Sequence, residues 1–155
     1  MMYSKKLYTI GRQGGAWARL AYRIGSNRAD PRLKKKHILI VDDDRSLLGS
    51  LAQILQLEGY GVETVESGRE AIEKSKSRFY DLALLDIRLP DMEGTELLAK
   101  LNDTSPPMIK IMVTGYPNIQ NATDSLTLGA DAYMIKPVNP ETLLRTIQEK
   151  LRVHE

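Results

Sequence analysis

Cysteine is missing from all 155 residues, which excludes disulfides, thiolate metal sites and cysteine nucleophiles. Histidine is nearly as scarce: His37 and His154 stand far apart, too isolated for a histidine-rich metal centre. No apolar run approaches the roughly 20 residues that span a bilayer. The first residues also lack the apolar core of a secretory signal. The expected compartment is therefore the cytoplasm. Acidic residues are almost absent from the first 36 positions, where Asp30 faces ten lysines and arginines. The remaining chain carries twelve basic and nineteen acidic side chains, so the overall charge of +2 hides a basic arm on an acidic body.

What is present fits one soluble globular domain, with 42% hydrophobic and 27% charged residues. Residues 1–35 read as a basic, disordered extension and residues 36–155 as the folded domain. Within the extension Trp17, Leu20, Ala21 and Ile24 follow helical spacing, with Arg19 and Arg23 off that stripe. Three readings of the arm stay open: a stretch preceding the true start, a solvated tail, or a contact with membrane, DNA or protein.

From His37 the pattern alternates strand and helix. His37–Val41 is an apolar strand ending in Asp42, Asp43 and Asp44, and Leu47, Leu51, Ile54 and Leu55 stripe a helix stopped by Gly59. Residues 62–65 alternate like an edge strand, and Ser67 with Glu70 forms a capping box for a helix reaching Ser77. Leu82 to Asp86 is a third strand, buried on both faces, and Gly94 is expected to cap the next helix. Ile109–Val113 is a fourth strand ending at Thr114-Gly115. A helix from Asn118 to Leu128 follows, with Gly129 at its C-terminal cap. Residues 132–135 form a fifth strand ending at Lys136-Pro137, and Asn139-Pro140-Glu141 opens a last helix to the end of the chain. This is α/β: a five-stranded parallel sheet with helices on both faces, a three-layer sandwich.

Parallel strands place their carboxyl ends on one edge, so Asp42, Asp43, Asp86, Thr114 and Lys136 converge. In the flavodoxin-like order 2-1-3-4-5 the first and third strands adjoin, setting the Asp42/Asp43 pair beside Asp86. Clustered carboxylates repel one another unless a cation neutralises them. An all-oxygen set suits Mg²⁺, with Mn²⁺ as an alternative. Thr114 can donate to a phosphoryl oxygen and Lys136 can offset its charge, and positioning plus neutralisation is most of what phosphoryl transfer needs.

Asp42-Asp43, the stretch from Leu85 to Gly94, Thr114-Gly115 and the stretch from Gly129 to Pro137 resemble a response-regulator receiver domain over about residues 36–153. The resemblance implies that Asp86 accepts a phosphoryl group from a sensor histidine kinase. It implies a metal site of Asp42, Asp43, Asp86 and the Arg88 backbone carbonyl. It also implies a switch in which Thr114 moves to the phosphoryl group and Tyr133 turns inward. The face of the fourth helix, fifth strand and fifth helix then changes toward an unknown downstream target or a phosphorylation-dependent dimer. A cis Lys136-Pro137 bond is implied as well. Gly115 stands where alanine is common, and with Arg88 and Tyr116 it is expected to set phosphoryl lifetime. With the last helix ending near Val153, a stand-alone receiver without an output domain is expected.

Blander roles fall to Asp44 as a helix N-cap, Asp91 and Glu93 as loop charges, and His37 and His154 as non-relay residues. A competing reading resembles the first motif of haloacid-dehalogenase-type phosphatases, with Asp42 as nucleophile and Asp44 as acid/base. It gives Asp86 no role and lacks a further acidic pair after Lys136. A third reading is a receiver-like scaffold whose basic arm does the binding.

Overall fold

The computed structural model describes residues 34–103 and 107–153. The expectations for the striped segment at residues 16–24 and for His154 fall outside these residues. In chain order the elements are β1 His37–Val41, α1 Arg45–Leu57, β2 Gly61–Val65, α2 Gly68–Ser77, β3 Leu82–Leu85, α3 Gly94–Lys100, β4 Ile109–Thr114, α4 Ile119–Thr127, β5 Ala132–Ile135 and α5 Pro140–Val153. All strands pair in parallel, in the order β2-β1-β3-β4-β5. The expected strand order and helix count are both met.

Strand alternation sorts the core into two layers. Ile38, Ile40, Leu82, Leu84, Ile109, Ile111 and Val113 face α1 and α5, which answer with Leu48, Leu51, Ile54, Leu55, Leu143, Leu144, Ile147 and Leu151. The opposite layer joins Leu39, Val41, Ala83, Leu85 and Met112 to Ala71 of α2 and Leu97 and Leu98 of α3. β3 lies between β1 and β4 and has no solvent face, which is why it is continuously apolar. Such burial is worth about 1.5–3 kcal/mol per large aliphatic side chain. α4 contributes only Ser125 to the buried set, while Ile119 is 86% and Leu126 57% exposed.

Helix ends follow the expected chemistry with instructive exceptions. Asp44 accepts the Leu47 amide at 3.1 Å, Asn118 the Asn121 amide and Asn139 the Thr142 amide, each capping its helix. Gly59 and Gly129 have φ of 94° and 96°, the left-handed conformation that ends α1 and α4. The Lys136-Pro137 bond is cis, as expected. On α1 the buried stripe runs through Leu48 rather than Leu47, which is only partly buried.

Gly94 is not a cap. Glu93 holds the N-cap position of α3 without a side-chain bond, and Gly94 is the first helical residue. Its requirement is closeness: a Cβ there would meet the Asp86 carbonyl oxygen, and Ile87 Cα at 2.7 Å.

Candidate functional site

Each functional side chain sits where a parallel ladder ends. The Asp42 amide donates to the Val65 carbonyl at 3.2 Å and the Asp86 amide to the Val41 carbonyl at 3.0 Å. The Lys136 amide donates to the Thr114 carbonyl at 2.8 Å. These bonds tie β2, β1 and β3 at one side of the rim and β4 to β5 at the other, with the β3–β4 ladder joining the two. They bring together residues 94 and 50 positions apart: Lys136 Nζ lies 2.6 Å from Asp42 Oδ2 and 3.2 Å from Asp86 Oδ2.

Asp42 and Asp86 are buried, at 3% and 5% exposure, whereas Asp43 is exposed. One carboxylate oxygen from each of the three lies within 4.8 Å of the others. Burial, and then the neighbouring Asp42 charge, push the Asp86 carboxyl above the ordinary carboxylate range, with Lys136 pulling the other way. For Lys136, burial alone would lower the ammonium. The hydrogen bond and charge of Asp42, joined by Asp86, overcome it and hold the group above the usual lysine value.

Each Asp42 oxygen has one partner, Oδ1 accepting the Asp44 amide at 2.9 Å and Oδ2 the Lys136 ammonium, and each keeps a further lone pair. Asp86 differs: its Oδ1 is buried without a hydrogen-bond partner. Such an orphan costs about 1–3 kcal/mol or more. Ionised, three carboxylates and one ammonium leave two negative charges in a set of hard oxygen donors. A divalent cation of the Mg²⁺ type fits that charge and that chemistry.

Thr114 is fully buried, and its Oγ1 accepts the Tyr116 amide at 3.0 Å, leaving the hydroxyl hydrogen for another acceptor. Gly115 lies beside Lys136, where an added Cβ would find only ordinary contact at 3.7 Å. The Arg88 guanidinium stacks on the Tyr116 ring, 3.9 Å from its centroid. Tyr133 is partly buried against the second core layer, and its hydroxyl is buried without a partner.

Asp44 caps α1 as expected, which leaves it unsuited to the acid/base role of the phosphatase reading. One expectation changes here. Asp91 is no mere loop charge: its two oxygens accept the Gly68 and Arg69 amides, each at 2.9 Å. The partner amides lie more than twenty residues upstream, so no local pattern could announce them. Among the described residues no helix is long and apolar enough to cross a membrane.

The family model described as "response regulator receiver domain" matches residues 38–148. The transcriptional regulatory protein ZraR of Escherichia coli O157:H7 is 35% identical over 114 residues, 74% of this chain and 26% of that protein. The chain thus spans about a quarter of the length of this relative. A CheY-like response regulator receiver domain protein from Methanospirillum hungatei JF-1 superposes with a TM-score of 0.75 at 55% identity, covering 77% of this chain and 95% of that one. A response regulator from Burkholderia pseudomallei, solved with a phosphorylated aspartic acid, a calcium ion and citrate, matches with a TM-score of 0.70 at 30% identity. That match covers 76% of this chain and 69% of that one.

Proposed function

The chain belongs to the response regulator receiver domain family, and on that premise we propose that Asp86 is the phosphoacceptor of a two-component signalling switch. Receiver domains are signalling phosphoacceptors served by histidine kinases, and they bind Mg²⁺ in an acidic pocket. In this reading Asp42, Asp43, Asp86 and the Arg88 carbonyl would hold Mg²⁺ or Mn²⁺, which when bound would neutralise the carboxylates and the incoming phosphoryl oxygens. Asp86 Oδ1 attacks the phosphorus of a phosphohistidine. The N–P bond breaks with its electron pair returning to the imidazole, and an acyl O–P bond forms. The observation that carries this reading is the orphaned Asp86 Oδ1 beside the Lys136 ammonium.

Lys136 then pairs with the transferred group, and the Thr114 hydroxyl turns its free hydrogen to a phosphoryl oxygen. That movement withdraws Thr114 from Tyr116 and opens room for Tyr133 to respond. The signal leaves through α4, β5 and α5, where exposed Ile119, Leu126 and Ile135 offer apolar contact to a downstream protein or to a second copy after phosphorylation. Residues 36–155 form the receiver unit in this scheme, working in the cytoplasm. Residues 1–35 are a basic extension able to touch DNA or a membrane. Gly115, with the Arg88–Tyr116 stack, sets how readily water reaches the phosphoaspartate, so the domain assists its own dephosphorylation.

The test is incubation of the full chain with a small acyl-phosphate donor and Mg²⁺, followed by intact mass. One labile phosphoryl group is expected, absent without the metal and absent in Asp86→Asn. Multiple turnover of phosphomonoesters that survives Asp86→Asn but not Asp42→Asn would overturn the proposal.

A further inference from the structure

The loop from Arg88 to Glu93 carries the carbonyl assigned above to the metal, and it is fastened at two ends of different character. Its base is closed on itself: Arg88 and Glu93 form an antiparallel bridge, and the Leu89 amide donates to the Met92 carbonyl. The Gly94 amide closes the base by donating to the Ile87 carbonyl. Its tip is tied to another element altogether. Asp91 Oδ1 accepts the Gly68 amide and Oδ2 the Arg69 amide, and Met92 packs so closely on Gly68 that a Cβ there would collide with its sulfur.

Those two amides are the first two of α2, groups that no helix can satisfy internally. Ser67 takes care of the third by accepting the Glu70 amide, and its own carbonyl accepts the Ala71 amide. The Glu70 carboxylate reaches only the Ser67 hydroxyl. Asp91 therefore completes the cap from outside the helix, through charge-assisted bonds at the positive end of the helix dipole. Both carboxylate oxygens are committed, so the loop tip is held at two points and cannot swing about one bond.

We infer that Asp91 is a positioning residue for the metal site, clamping the Arg88 loop to the N-terminus of α2. The inference rests on the metal-site reading above. Asp91 does not touch the ion in this scheme; it acts through the loop, as outer partners of metal ligands do. Metal binding then steadies the loop on its Asp91 clamp, and loss of that clamp, rather than of the helix's own Ser67 cap, loosens the metal.

The experiment is Mg²⁺ titration of the full chain by calorimetry, without a phosphoryl donor, comparing wild type, Asp91→Ala, Asp91→Asn and Ser67→Ala. Asp91→Ala is expected to raise the dissociation constant roughly 10-fold, the low end for losing an outer partner. Ser67→Ala removes the local cap and lowers the melting temperature, yet leaves the dissociation constant unchanged. Asp91→Asn keeps one acceptor oxygen and should fall between, deciding the matter should alanine unfold the domain. At saturating Mg²⁺ the phosphorylation rate of the Asp91 variants should return to the wild-type value. Wild-type Mg²⁺ affinity in both Asp91 variants, or equal weakening in Ser67→Ala, would overturn the inference. Failure of the wild type itself to bind Mg²⁺ would instead overturn the metal-site reading beneath it.

Discussion

Replacing Gly94 by alanine puts a methyl group against the peptide of the phosphoacceptor. The new carbon would sit 2.7 Å from Ile87 Cα and 2.9 Å from the Asp86 carbonyl carbon, and closer still to the Asp86 oxygen. Ordinary carbon contacts lie at about 3.5–4.0 Å, so the backbone must open by roughly 1 Å. Every opposing atom is main chain, with no side chain able to rotate away. Overpacking of this kind costs about 1–3 kcal/mol and sometimes more. We take about 3 kcal/mol, less a few tenths for alanine's better helix propensity at the first position of α3. At a few degrees per kcal/mol the melting temperature should drop roughly 8–15 °C.

Two other glycines calibrate the argument. At Gly68 the opposing atoms are the far end of Met92, which can move, so alanine should cost about 1 kcal/mol or less. At Gly49, inside α1 with nothing within 4 Å, alanine should stabilise by about 0.5–1 kcal/mol. Urea melts followed by far-UV circular dichroism give all three values. A Gly94→Ala loss below that of Gly68→Ala would refute the reasoning. Phosphorylation of Gly94→Ala, measured where it is fully folded, should also slow, because the displaced peptide belongs to Asp86.

Other outcomes follow from the same geometry. Asp86→Asn removes a buried carboxylate that burial and the Asp42 charge both disfavour, and without metal it should unfold at a higher urea midpoint than wild type. Gly115→Ala fits without a clash and should lengthen the phosphoryl lifetime, followed by intact mass after donor removal; equal lifetimes would end the water-access argument. Glu63 accepts the Tyr80 hydroxyl at 2.7 Å and pairs with Lys74 and Arg78. The Tyr80 bond leads in holding its carboxyl below the ordinary range, against the opposing pull of burial, with Lys74 and Arg78 helping. Its contribution is therefore present above the unfolded carboxylate range and lost as pH falls through the folded value. The melting-temperature gap between wild type and Glu63→Gln should accordingly be open at pH 7 and begin to narrow as pH falls below the unfolded glutamate value of about 4.3.

Much of the fold was legible because its signals are local. Strand runs, helix stripes and the caps at Asp44, Ser67 and Asn139 depend on neighbours within four residues. The site was legible for a related reason: a parallel sheet delivers every strand's carboxyl end to one edge, so order along the chain predicts convergence in space. Gly94 was misread because a glycine before a helix looks the same whether it caps or makes room. Asp91 was misread because its partners, the Gly68 and Arg69 amides, are distant in sequence and carry no side-chain signature.

Residue types and their spacing were enough for the alternation of elements, the opposite charges of arm and body, and the identity of the groups that meet at the sheet edge. Tertiary structure alone decided how those groups divide their bonds. It gave both Asp42 oxygens a partner, left Asp86 Oδ1 without one, stacked Arg88 on Tyr116 and spent Asp91 on another element's helix. The reason is physical: residue type and spacing set which interactions a chain can make. A hydrogen bond or a steric contact exists only at a distance, and those distances are set once the whole sheet has closed.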